Sequence, residues 1–124
     1  MFLVCLASLH FKYSVSEKYN CVIIALKGNV MGGPDAETFR DELHTFIDEG
    51  KKQVIVDLGK VKFMNSSGLG ILIGGFTTMK NAGGELVICQ ADKKIESLLM
   101  VTQLIKVFNH FRTLDEAVAH FGKS

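Results

Sequence analysis

The residues best placed to do chemistry are two adjacent serines, Ser66 and Ser67, preceded by Asn65 and followed by Gly68-Leu69-Gly70. A serine hydroxyl serves as a nucleophile, a phosphoryl acceptor or a helix cap, and its neighbours decide which. The Gly-x-Ser-x-Gly frame of a hydrolase elbow is absent, because Met64 stands where the first glycine belongs. A triad also needs a histidine and a carboxylate alongside, and His110 or His120 would arrive there only by accident of folding. The run Gly68-Leu69-Gly70-Ile71-Leu72-Ile73-Gly74 is one residue longer than a dinucleotide fingerprint, and its glycines fall inside a helix instead of at its mouth. Gln90 stands where an acidic residue should close the next strand, and no Walker lysine follows a glycine of this run. His10, His44, His110 and His120 have no ligand spacing with Cys5, Cys21 and Cys89. No metal, cofactor or catalytic group is therefore expected, and the chain is not read as an enzyme. Asp57, near the serines, would either position a metal or phosphate or cap a turn, and the cap is preferred.

The elements that must hold these serines alternate between strand and helix. Residues 11–18 alternate apolar and polar, and Cys21-Val22-Ile23-Ile24-Ala25-Leu26 is continuously apolar, so the two read as an antiparallel hairpin turning at Asn20. Gly28 and Gly32-Gly33-Pro34 interrupt the strand pattern. Pro34, with Asp35 and Glu37 behind it, opens a helix carrying Ala36, Phe39, Leu43, Phe46 and Ile47 inward, with Gly50 as its left-handed cap. Val54-Ile55-Val56-Asp57-Leu58 reads as a strand buried on both faces, followed by a short apolar turn in which Phe63 is expected in the core. Residues 66–82 form a second helix ended by Gly83-Gly84. Glu85-Leu86-Val87-Ile88-Cys89 is a further strand. Asp92 caps a helix bearing Ile95, Leu98 and Leu99, 107–111 reads as a last strand, and Thr113 with Glu116 makes a capping box for a final helix with Ala117, Val118 and Phe121 inward. This alternation implies parallel crossovers and an α/β domain with a mixed sheet of four to five strands and about four helices.

The second helix is unusual, because Gly68, Gly70, Gly74 and Gly75 crowd its first ten residues and each interior glycine costs about 1 kcal/mol relative to alanine. Close approach of a neighbour would offset that. Ser67, Gly70 and Gly74 form a small-residue stripe that would seat either another helix of the domain, the preferred reading, or a partner protein. Thr77, Thr78 and Thr102 are further hydroxyls, read as surface or carbonyl-bonded groups.

At 124 residues the chain suits one domain, and 48% hydrophobic residues against 22% charged place it among compact globular chains. A net charge of +1, with Lys51-Lys52 and Lys93-Lys94 the only basic doublets, gives no stripe to follow a phosphate backbone, so nucleic acid is not expected as a partner. Three scattered cysteines make no disulfide framework and point to a reducing compartment. Residues 1–10 are an apolar extension: an extra edge strand, a misplaced start codon or an expression leftover, with a membrane or partner anchor as the sharper alternative. The extension is too short to span a bilayer and lacks the pattern of a secretory signal, and no other segment would span one.

The run Phe63-Met64-Asn65-Ser66-Ser67-Gly68-Leu69-Gly70, with Val56-Asp57-Leu58 before it and Ala82-Gly83-Gly84-Glu85-Leu86-Val87 after it, resembles the STAS domain of bacterial anti-sigma-factor antagonists. The likeness covers 11–121, taken as the domain. It includes Gly28 with Asp35-Ala36 at the lead-in to the first helix, and Val101-Thr102, Leu104 and Val107-Phe108. The resemblance implies a cytoplasmic switch. The unphosphorylated antagonist captures an anti-sigma factor that is also an ATP-dependent serine kinase. Phosphorylation of the first serine, Ser66, breaks the capture, and a metal-dependent serine phosphatase restores it. Met31, Met64, Asn65, Ser67, Gly68 and Gly70 are the expected partner-binding residues, and no membrane partner is expected. The family's commonest residue before the serine is Asp; Asn65 removes one negative charge there and keeps a sound helix cap. The alternative is a STAS scaffold or ligand-responsive regulator that is never phosphorylated. Membership of the sulfate transporters is disfavoured by the want of spanning helices.

Overall fold

The computed structural model describes residues 11–18, 21–30 and 34–122. Along the chain run β1 (Phe11–Lys18), β2 (Cys21–Val30), α1 (Pro34–Asp48), β3 (Gln53–Met64), α2 (Ser66–Asn81), β4 (Glu85–Cys89) and α3 (Lys93–Val101). A 3₁₀ turn (Leu104–Lys106), β5 (His110–Phe111) and α4 (Leu114–Gly122) follow. The strands form one five-stranded sheet in the order β1-β2-β3-β4-β5. β1 and β2 pair antiparallel, as the hairpin reading required, and every other neighbour pairs parallel. The α/β class, the mixed sheet and the four helices agree with the sequence reading. Asn20, Met31 and residues 1–10 lie outside the described residues.

The β-branched centre of β3 is buried on both faces, with Val54 and Val56 turned to one core and Ile55 to the other. On the first face α1, α2 and α3 bring Phe39, Leu43, Leu72, Ile95 and Leu99 against the sheet. On the second, α4 brings Ala117 and Val118 against Ile23, Val87 and Cys89. The helices begin and end where their caps dictate. Gly50 closes α1 at φ +81°, with Lys51 N–H bonded to Phe46 O at 2.8 Å, and Gly83 closes α2 at φ +82°. Asp92 accepts the Ile95 N–H at 2.9 Å to start α3. Thr113 accepts the Glu116 N–H at 3.1 Å, while the Glu116 carboxylate reaches back one residue further than expected, to the Arg112 N–H.

Expectations for the strands needed correcting at three points. The strand predicted to stop at Leu58 continues to Met64, because β3 carries two extra residues against β2. Ala25 and Lys27 face Asp57 and Lys60, and Gly28 and Asn29 face Val61 and Phe63. Each bulge shifts the side-chain phase, so Leu58, Val61 and Met64 all reach the same core at intervals of three residues instead of two. Phe63, expected in the core, is thereby turned out and is 49% exposed. The last predicted strand shrinks to two residues, because the 3₁₀ turn bonds Val107 and Phe108 back to Leu104.

Cys21 and Cys89 are fully buried in the second core. Burial raises both thiols; that of Cys89 is pushed to about 12, with the Asp57 carboxylate adding to the effect. The thiolate is the reactive form. Neither cysteine should therefore be alkylated by iodoacetamide in mildly alkaline buffer while the protein is folded. Both should label in denaturant, as peptide mass spectrometry will read.

Candidate functional site

Asn65 joins β3 to α2 and is tied at three points. Its extended backbone (φ −104°, ψ −177°) lets the side-chain oxygen accept the Gly68 N–H at 2.7 Å. Its own N–H donates to Val30 O at 3.4 Å, and its carbonyl accepts the Leu69 N–H at 2.9 Å. The neutral amide thus caps the helix as expected of Asn65. The helix starts at Ser66 and Ser67, both exposed, and neither hydroxyl bonds to another described residue. Their place at the helix's positive end favours any anion carried there.

Gly68 explains why the turn forms here. A Cβ on it would lie 1.8 Å from Val30 O and 2.6 Å from Val30 C, so only glycine lets the first turn of α2 back onto the end of β2. Gly75 has a similar task further along, where a Cβ would press within 2.8 Å of the Phe39 ring. Gly70 and Gly74 differ: a Cβ on either meets nothing within 4 Å. The stripe of Ser67, Gly70 and Gly74 therefore seats no described helix, against the preferred reading, and α1 packs at Gly75 instead.

Asn65, Ser66, Ser67 and Gly70 thus cluster on an accessible turn. Gly68 is buried behind them, and Met64 is only 7% exposed, belonging mainly to the core. Met31 lies outside the described residues. Asp57 caps a turn: its Oδ1 accepts the Gly59 N–H at 2.9 Å and a Gln90 side-chain N–H at 2.7 Å. Among the described residues no group of three His, Cys, Asp or Glu side chains is placed to hold a metal ion. His120 lies on α4, across the sheet from α2, and meets Glu85 Oε2 at 3.0 Å. The Thr102 hydroxyl donates to Leu98 O at 2.8 Å, the carbonyl-bonded role expected of it. The outward turn of Phe63 was missed in the sequence; a three-residue spacing of Leu58, Val61 and Met64 was the signal for it.

Residues 12–117 match the STAS domain, and the chain belongs to that family. Among its relatives, BtrV of Bordetella bronchiseptica, a candidate anti-sigma factor antagonist, is 25% identical over 105 residues, spanning 85% of this chain and 90% of BtrV. An anti-sigma factor antagonist from Mycobacterium paratuberculosis has a similar fold, with a TM-score of 0.75 at 19% identity, covering 89% of this chain and 92% of that one. SpoIIAA in its unphosphorylated form matches with a TM-score of 0.67 at 19% identity, covering 92% of this chain and 99% of SpoIIAA. The phosphorylated form of the Bacillus protein also scores 0.67, at 20% identity over 88% of this chain and 98% of that one. Among the described residues, no helix is long and apolar enough to cross a membrane.

The glycines of α2 give opposite expectations for one substitution. Gly68→Ala should lower stability by about 1–3 kcal/mol or more, since a backbone carbonyl cannot yield cheaply. Gly70→Ala should raise it by up to about 1 kcal/mol, since helix propensity alone is at stake. Urea denaturation of the two variants beside the parent measures both.

Proposed function

We propose that this protein is an anti-sigma-factor antagonist that captures an anti-sigma-factor serine kinase while Ser66 is unphosphorylated and releases it once Ser66 is phosphorylated. The observation that carries this reading is the exposed Ser66 hydroxyl at the first position of α2, unbonded to any other described residue. The naming of BtrV as a candidate antagonist supports the role. The proposed partner surface centres on Asn65, Ser66, Ser67 and Gly70, with Gly68 and Met64 shaping it from behind and Met31 as a further proposed contact. The domain spans 11–121, acts by binding and not by catalysis, and works in the cytoplasm with a serine phosphatase to reset it.

The mechanism follows from where the charge goes. A phosphoryl group adds about −1.5 to −2 charge and three strong acceptor oxygens. At the start of α2 the helix dipole and the first N–H groups favour that anion, so the fold tolerates it. A partner docked over Ser66 would have to strip water from it, at a cost on the order of several kcal/mol if the charge is left unpaired. Each 1.4 kcal/mol or so is tenfold in affinity, so one phosphate suffices to end the capture without a change of shape.

The test pairs the protein with each histidine-kinase-like ATPase of its own genome, adds ATP and maps phosphate by mass spectrometry. Phosphate should appear on Ser66 and vanish in Ser66→Ala. Ser66→Asp should weaken partner binding by tenfold or more (at least about 1.4 kcal/mol) with an almost unchanged melting temperature. An ATPase that binds Ser66→Asp as tightly as the parent would replace the switch with a phosphorylation-independent scaffold.

A further inference from the structure

Among the described residues, four large hydrophobic side chains are exposed: Phe63 (49%), Met100 (63%), Val101 (82%) and Val107 (44%). Two of them border one feature. Between the end of β3 and α3 lies a groove of about 300 Å³ whose apolar lining is Phe63, Met64, Ile95, Leu98 and Val101. Met100 adjoins Val101 in the chain, and Val107 follows the 3₁₀ turn that packs on α3. Exposed apolar surface gathered in this way marks an interaction site. Small-molecule pockets bury about 70–90% of their ligand. Walls as open as Val101 suit an extended protein surface better.

The charge lining the groove is mainly positive. Lys62 lines it from β3 and Lys94 from α3. Lys60 lies on β3, Lys93 on α3 and Lys106 on the 3₁₀ turn, while β3 and α3 also carry Asp57 and Glu96; all five lysines are exposed with no ion pair to another described residue. The one acidic residue in the lining, Asp92, spends its Oδ1 on the Ile95 N–H. An apolar trough between unpaired cations is complementary to a helix with a hydrophobic stripe and acidic flanks.

We propose that the β3–α3 groove seats an acidic-flanked amphipathic helix of the partner protein. Its strand wall ends at Met64, two residues before Ser66, so one partner would cover both the groove and the serine. Assigning the helix to that partner rests on the reading of Ser66 above; the chemistry of the groove does not.

The experiment titrates the ¹⁵N-labelled full chain with a synthetic helical peptide carrying leucines along one stripe and glutamates on its flanks. Controls are the same peptide with lysines for glutamates, and dodecanoate. The glutamate peptide should shift the amides of 62–64 and 94–101 and bind at least about tenfold more tightly than the lysine peptide. Val101→Glu, a change on an exposed helix end, should abolish that binding, and the pair Lys62→Glu with Lys94→Glu should reverse the preference. Equal binding of the two peptides, shifts confined to other residues, no binding, or tighter saturable binding of dodecanoate at these amides would each overturn the proposal. The titration needs no phosphate. Peptide binding without any phosphorylation of Ser66 would end the switch and leave the groove standing, and phosphorylation without peptide binding would do the reverse.

Discussion

The approach of α2 to the end of β2 sets the position of everything that matters at this site. Gly68 sits where any side chain would enter the Val30 carbonyl, and Asn65 uses its N–H, its carbonyl and its side-chain oxygen to hold the first turn in that place. With the turn fixed, Leu69 and Leu72 drop into the core beside Val56 and Leu58, and Gly75 lets α1 pack across the helix. The geometry leaves Ser66 and Ser67 on the outside of a turn whose inside is fully committed. Their exposure follows from the packing behind them.

On the proposed reading of Ser66, that arrangement separates stability from signalling. The groups that hold the turn are backbone carbonyls, an amide side chain and the absence of a Cβ, and none of them changes charge when a hydroxyl on the outer side is modified. A dianion at a helix N-terminus is a favourable placement, so the free protein has little reason to respond. On the proposed switch the cost would fall on a protein docked over it, where desolvation is expensive and the affinity loss exponential in energy. Asn65 supplies the capping oxygen without bringing a negative charge beside Ser66.

Much of this was legible in the sequence, because local rules were obeyed. Gly50, Asp92 and Thr113 ended or began helices for reasons of backbone geometry that need no tertiary context, and the β-branched run at 54–56 could hardly be anything but a central strand. Ser66 at a strand-to-helix turn was readable from the glycines and the cap around it. What stayed hidden depended on pairing between strands. The two bulges of β3 are set by its register against β2, and they turn Phe63 from the core to the surface and extend the strand to the edge of the site. The glycines of α2 were likewise countable but not assignable: only the neighbours reveal that Gly68 and Gly75 serve close approach while Gly70 and Gly74 face open space. The β3–α3 groove combines residues some thirty positions apart and was out of reach of any local pattern.

The most direct measurement of the central claim is a comparison of backbone amide shifts before and after stoichiometric phosphorylation of Ser66. A switch that acts at the docking surface predicts changes confined to residues 63–70, with the rest of the spectrum superimposable. Shifts spread through the sheet and through α1 and α4 would contradict it, showing that the phosphate acts by reshaping the fold.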